Sequence, residues 1–174
     1  AASLNPLDWK IRAGHLRWLP MFRRPPRTPG CDFAGVIVGV SAGARLHYVG
    51  ERVFGSLRPF GREGALAECI VAGVDRLAAM PDELGFDEAA ALPIAAGTAL
   101  QAIVDEARLG AGQRILITGA AGGVGHFAVQ HRLHISEPLG GARGGAAFFE
   151  NAFRSEQVRQ HGDNVIAQAV VNAA

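Results

Sequence analysis

Lysine is almost missing from this sequence: Lys10 stands alone among 17 basic residues, the rest being arginine. That is a composition bias and carries no functional reading. Charge of either sign is also scarce. Seventeen basic and 16 acidic side chains leave a formal net charge of +1 with 19% of residues charged, so nothing calls for nucleic acid or an anionic membrane as partner. Cysteine is limited to Cys31 and Cys69, far apart and outside any C-x-x-C pattern. This excludes a disulfide-framework secreted protein and points to a reducing, cytoplasmic setting. Long apolar runs are lacking too. The uncharged stretch 89–104 falls short of the roughly 18–20 apolar residues of a membrane span and contains Pro93 and Gly97. Neither a methionine nor a basic-then-apolar leader opens the sequence at Ala1-Ala2-Ser3, so no secretion signal is expected.

What is present fits a folded protein. Apolar residues make up 49% of 174, enough to bury a core, and the length allows about one domain or two small ones. The first third is rich in proline and glycine, with short β-prone runs at 33–40 (F-A-G-V-I-V-G-V), 52–55 and 64–71. Gly35 and Gly39 inside the first run suit the bends or bulges of a small, tightly curved barrel. After Met80-Pro81 the pattern becomes helical. Asp87 and Glu88 open a short helix that continues through Ala89–Leu92, and an Ala-rich helix over 94–107 ends at Arg108-Leu109-Gly110. The run 113–118 (Q-R-I-L-I-T) reads as a strand buried on both faces.

That strand leads directly into G-A-A-G-G-V-G at 119–125 and then a helix from His126. Strand, glycine turn and helix together let backbone N–H groups and the positive helix end face a pyrophosphate. Thr118, Gly119, Ala121, Gly122, Gly123, Val124 and Gly125 are the candidate cofactor-binding residues. Side chains at Gly119, Gly122 or Gly125 are expected to block the turn, the phosphate approach or the helix-to-strand contact. The spacing is G-x-x-G-x-x-G, not the general G-x-G-x-x-G; the competing reading is a tight turn that binds nothing.

Six runs occur in a telling order: L-N-P-L-D-W-K-I-R-A-G (4–14), P-G-C-D-F-A-G-V-I (29–37), G-E-R-V-F-G (50–55), E-A-A-A-L-P (88–93), G-T-A-L-Q-A (97–102) and A-A-G-G-V-G-H-F-A-V-Q (120–130). Over about residues 1–130 the sequence resembles the zinc-independent quinone oxidoreductase branch of the medium-chain dehydrogenase/reductase superfamily, the group with chloroplast-envelope quinone oxidoreductase homologues and alkenal reductases. The resemblance implies an α/β protein: a GroES-like β-barrel catalytic domain, N-terminally incomplete, over 1–93, then a partial Rossmann-type parallel α/β domain over 94–174, diverged after 130. It implies NADPH as the usual hydride donor, with NADH as the other candidate, and no catalytic zinc. Zinc relatives carry Cys where Asn5 stands, His-Glu where Cys31-Asp32 stands, and a further Cys near Ile94. At most Cys31 survives of the three ligands, and Asn and Ile do not supply the soft or imidazole ligands zinc takes.

Without a Lewis acid, conjugate hydride addition to an electron-poor C=C or a quinone is the reaction that needs mainly orientation. The resemblance therefore implies a small quinone or α,β-unsaturated carbonyl as substrate. It places Asn5 and Asp8 on the active-site turn and Thr98 beside the nicotinamide. Asn5 suits a hydrogen bond to carboxamide, ribose or substrate carbonyl, or simply a turn before Pro6. Asp8 reads as ordering Lys10, Arg12 or a backbone turn. Lys10 stands where some relatives carry a tyrosine acid, so Lys10 or water is the candidate proton source. Tyr48 falls where relatives carry an aromatic packing residue. The basic-aromatic stretch 17–27, with three prolines, reads as a substrate-side loop rather than a single-strand binding site. His126, His131 and His134 read as surface imidazoles.

Beyond Gln130 the sequence departs from the family. Pro138 falls where the helix is expected to run or just to have ended, and Gly144-Gly145 weakens the expected next strand. The stretch 158–166 is similar to the family's V-R-x-L-G-A-D-x-V-I with one residue missing. Glu150 suits a ribose 2′-hydroxyl and NADH; Arg143 or Arg154 suits a 2′-phosphate and NADPH. The length leaves room for half a Rossmann domain, so the chain reads as a fragment or a diverged product. A non-catalytic nucleotide-binding or structural remnant is the alternative function, and a homodimer is allowed by either reading.

Overall fold

A computed structural model describes residues 1–20, 28–41, 46–58, 63–110, 113–136 and 166–170, with 131–136 and 166–170 described by backbone alone. The chain divides into two compact units, Ala1–Pro93 with Arg159–Ala174, and Ile94–Val158.

The first unit is built on an antiparallel sheet. β1 (Ala2–Ser3) leads into α1 (Pro6–Arg12); β2 (Asp32–Val40), β3 (Arg52–Ser56), β4 (Cys69–Gly73) and β5 (Leu77–Ala79) follow, with a 3₁₀ turn at Val74–Arg76 between the last two. α2 (Phe86–Ala90) comes next, and β6 (Ile166–Val170) completes the sheet in the order β4-β6-β2-β3-β5, with β1 also paired to β2. β2 is the organising strand. Its β-branched and aromatic residues favour a pleated, half-buried surface, and Phe33 and Ile37 are fully buried with Val53, Leu57, Ala65, Ile70, Ala72 and Leu77. The register of β2 against β6 shifts between Ile37 and Gly39, where the sequence places a bend. Gly55 sits where a Cβ would collide with the Arg76 carbonyl, so β3 and the 3₁₀ turn pack together only with glycine there. Arg52 ties the sheet to the approach to α2: its guanidinium donates to the carbonyls of Asp82 (3.1 Å) and Leu84 (2.7 Å) and lies 5.0 Å from the Phe86 ring centroid.

The second unit contains α3 (Pro93–Leu100), which runs on as a π-helical turn at Gln101–Glu106, and α4 (Gly123–Ser136). Ala99, Ile103 and Ala128 form its buried cluster, with Val104, Leu109, Ile117 and Phe127 packed against it. Arg108, at φ 48°, takes the left-handed conformation that ends the helical stretch, two residues before the expected glycine stop. α4 is described as far as Ser136.

Three expectations are corrected. The expected strand at 64–71 begins only at Cys69; a Cβ at Gly64 would collide with the Thr28 and Pro29 carbonyls, so that stretch is a close backbone crossing instead. The run 113–118 is neither a strand nor buried, with Leu116 88% exposed. A strand buried on both faces needs a neighbouring strand on each side, and no strand among the described residues lies beside it. β6, which falls within the stretch 94–174, pairs antiparallel with both β2 and β4 of the first unit. Tyr48 is 68% exposed and so is not a packing residue. Arg143, Glu150, Arg154, Pro138 and most of the stretch 17–27 lie outside the described residues, as do the side chains of His131 and His134.

Candidate active site

Asn5-Pro6-Leu7-Asp8 folds as a helix start because Pro6 is pre-shaped for the first helical position and Asp8 reaches back to the preceding backbone. The Asn5 N–H donates to Asp8 Oδ2 at 2.7 Å, and the Asp8 N–H donates to the Asn5 carbonyl at 2.9 Å. The Asn5 side chain turns elsewhere. Its Nδ2 donates to Asp32 Oδ2 at 2.9 Å, at the head of β2. The adjacent Cys31 thiol donates to Asp8 Oδ1 at 3.4 Å. Asp8 and Asp32 are both buried, and burial of a carboxylate is tolerated only where donors meet it. Burial, reinforced by the negative charge of Asp8, pushes the Cys31 thiol up to about 12. Cys31 is therefore a neutral donor, neither a nucleophile nor a thiolate.

Of the expected catalytic residues, Asn5 and Asp8 come together here. Asp8 orders the backbone turn and, among the described residues, forms no ion pair with Lys10 or Arg12. Lys10 is exposed, its ammonium 5.9 Å from the Trp9 ring centroid. Thr98, in the second unit, is exposed and donates its hydroxyl to the Ile94 carbonyl at 2.6 Å, a bond within its own helix. Asp32 and Cys31 are the site residues that motif reasoning read only as replaced zinc-ligand positions, without a role of their own. The signal was an acid at the mouth of an apolar strand, where a solvated carboxylate has no place.

The glycine turn occupies the second unit. Gly119 has φ +70°, a conformation that L side chains rarely adopt. At Gly125 the obstacle is steric: a Cβ would collide with the Gly119 carbonyl and stand 2.9 Å from the Ala120 Cα. The Gly122 N–H closes the turn on the Gly119 carbonyl at 2.9 Å, and α4 begins at the next residue. The turn from Thr118 to Val124 is exposed. The first N–H groups of a helix have no acceptor within it, so α4 opens with donors over a surface free of side-chain bulk, a cradle that fits a pyrophosphate. Among the described residues there is no cluster of three or more His, Cys, Asp or Glu able to hold a metal ion, and no helix long and apolar enough to cross a membrane.

Comparison with known proteins bears on each of these two clusters separately. Residues 1–82 match the alcohol dehydrogenase GroES-like domain. The chain is 46% identical over 136 residues to the chloroplast envelope quinone oxidoreductase homolog of Arabidopsis thaliana, covering 75% of this chain and 40% of that protein. The chain belongs to the quinone oxidoreductase branch of the medium-chain dehydrogenase/reductase superfamily. Other known proteins are similar as well. The 2-methylene-furan-3-one reductase of Solanum lycopersicum is 36% identical over 142 residues, 78% of this chain and 35% of that one. The structure of the quinone oxidoreductase from Coxiella burnetii superimposes with a TM-score of 0.68 at 31% identity, covering 87% of this chain and 48% of the other. The chain thus spans about 40% of the length of the curated quinone oxidoreductase relatives it matches. The fold of this branch, α/β with a GroES-like sheet, is the fold described above.

Proposed function

We propose that this chain is part of a zinc-independent reductase that uses NADPH, or alternatively NADH, to transfer hydride to a small quinone or α,β-unsaturated carbonyl. The observation that carries the reading is the glycine turn, which excludes Cβ atoms at Gly125 and leaves exposed backbone donors at the head of α4. Membership of the quinone oxidoreductase branch gives that turn its cofactor class. Thr118, Gly119 and residues 121–125 would hold the pyrophosphate, and the reduced nicotinamide, when bound, supplies the hydride. Asn5, fixed by Asp8 and Asp32, orients a bound group by hydrogen bonding. Lys10 is exposed and able to return a proton directly or through water. The lean towards NADPH rests on the family alone.

Zinc independence draws on the donor chemistry. Cys31 is held as a neutral thiol by Asp8, and Asn5 spends its amide nitrogen on Asp32. Neither position offers a thiolate or an imidazole.

Titration with NADPH and NADH, followed by cofactor fluorescence and melting temperature, tests the reading. Saturable stabilisation by one cofactor is expected, together with cofactor oxidation when a quinone or an enal is added. Gly125→Ala is expected to weaken binding at least tenfold, about 1.4 kcal/mol, while leaving the first unit folded. Absence of binding by either cofactor overturns the proposal. A non-catalytic remnant is the second reading, favoured by the exposed run at 113–118, which is not a strand; binding without turnover of any quinone or enone selects it.

A further inference from the structure

A net charge of +1 averages two unlike parts of this sequence. Six of the 17 basic residues but only one of the 16 acids fall within residues 1–30, so that stretch carries +5 and the remaining residues carry −4. The one acid, Asp8, is buried and bonded to the Asn5 N–H and the Cys31 thiol, and does not face solvent. On α1 the residues sort by face, as helical spacing requires. Asp8 and Ile11 are buried, whereas Trp9, Lys10 and Arg12 are exposed. The turns that follow continue the same surface. The His15 ring stands at 80° to the Trp9 ring with centroids 5.4 Å apart, and the Lys10 ammonium lies 5.9 Å from the Trp9 centroid. Arg17 folds back over Gly14, where a Cβ would stand 2.9 Å from the Arg17 Nε. Trp18, the next residue, is 75% exposed. Two exposed indoles thus stand among three permanent cations, and residues 9–20 contain no acid.

We infer that the surface formed by Trp9, Lys10, Arg12, Arg17 and Trp18 docks this protein onto an anionic lipid bilayer as a peripheral contact. Charge complementarity gives the partner its sign: cations without acids among them are drawn to a negatively charged leaflet, and the −4 on the remaining residues leaves no competing cationic surplus. The indoles give the partner its kind. A tryptophan joins an apolar ring to an N–H donor and settles at the membrane–water boundary, while arginine stems lie along apolar surface with their charged ends among the headgroups. Among the described residues no helix is long and apolar enough to cross a membrane, so the contact is with the interface. A nucleic acid would satisfy the cations but calls for open rings on which successive bases stack. The Trp9 ring is already met by Lys10 and His15, which leaves Trp18 alone, and a single ring does not track a strand. The inference stands apart from the reductase reading and goes beyond it.

Trp9 and Trp18 are the only tryptophans in the sequence, so intrinsic tryptophan emission reports on this surface alone. The protein is mixed with vesicles of phosphatidylcholine, with or without phosphatidylglycerol, and followed by co-sedimentation and emission. Co-sedimentation with a blue shift is expected for the anionic vesicles and not for phosphatidylcholine alone. Raising the salt from about 0.1 M to about 1 M shortens the Debye length from about 10 Å to about 3 Å and should release the protein. Arg12→Gln and Arg17→Gln should each weaken vesicle binding about fivefold, and the pair together roughly twentyfold. Both side chains are exposed, so the melting temperature should not move. Lys10 stays intact in these variants, which keeps its role as proton source out of the measurement. Arg114→Gln removes the same charge from an exposed position in the second unit and should leave binding unchanged. No co-sedimentation with anionic vesicles overturns the inference, as does equal binding to phosphatidylcholine alone. A loss on Arg114→Gln as large as on Arg17→Gln overturns it too, because total charge and not this surface would then govern binding. A blue shift with single-stranded oligothymidylate and none with vesicles assigns the surface to nucleic acid, against the inference. No cofactor enters these measurements, so their failure leaves the reductase reading standing, and failure to bind NADPH or NADH leaves this inference standing.

Discussion

Cys31 and Asp8 share a proton that belongs firmly to sulfur. The thiol is raised to about 12 by burial and by the neighbouring carboxylate, whereas an unfolded cysteine ionises near 8.5. The native state therefore holds its proton at pH values where the unfolded chain releases it. The stabilisation associated with the neutral thiol is complete below about pH 8.5 and is lost progressively as pH rises towards about 12. Denaturation curves from pH 8 to 11 should show this decline, and Cys31→Ala should flatten it. Iodoacetamide at pH 8 should modify exposed Cys69 and spare Cys31 until the protein is unfolded, as read by mass spectrometry of the two peptides. At this scale the sequence was a partial guide. Asn5 and Asp8 were legible because local chain geometry joins residues three apart. Asp32 lies 27 residues from Asn5, and its partnership depends on a tertiary fold that no local pattern encodes. Lys10 and Thr98 were legible as positions, while their surroundings, a Trp9 ring and a helix carbonyl, were not.

Elements whose pairing is local were read well. β2 and β3 appear where alternating apolar residues and glycines placed them, and the antiparallel register joins Val36 to Arg52 across a short connection. β6 was illegible as part of that sheet. Its sequence is compatible with a strand in either unit, and what decides is a slot between β2 and β4, strands that lie next to β6 and not next to each other. β4 reaches the rest of the sheet through β6, by a ladder from Cys69↔Val170 to Gly73↔Ile166. Proline in a central strand removes a ladder donor and is tolerated only at edges or bulges. Gln168, which pairs with Gly39 on one side and Val71 on the other, is the informative position. Gln168→Pro is expected to cost about 3 kcal/mol or more in chemical denaturation. It should also release β4 amides to fast hydrogen exchange while β3 and β5, paired independently at Val53↔Ala79 to Gly55↔Leu77, stay protected. Equal loss of protection in all strands would show that β6 is not the link between β4 and the sheet.

For the whole molecule the decisive contrast is between an antiparallel sheet with its neighbours in place and a run at 113–118 that pairs with no strand among the described residues. Composition and periodicity identify Ile115, Leu116 and Ile117 as core-forming, yet only Ile117 packs against the cluster around Ile103 and Ala128. Leu116 is 88% exposed and Ile115 36%, with Val124 on the following helix at 40%. Short exposed runs of β-prone apolar residues are templates for intermolecular pairing. The chain is therefore expected to self-associate through this run, with the apparent mass rising with concentration in light scattering. Leu116→Asp places a charge in the run at a position with no buried contacts to lose, so its effect on the melting temperature should stay within the range of surface substitutions, about 0.5 kcal/mol. Its effect on association should be large. If Leu116→Asp instead unfolds the second unit, the run is buried in solution and residues 113–118 have found partners. If neither stability nor association changes, the apolar run is inert, and its pattern reflects the parallel sheet of the superfamily without any remaining tendency to pair.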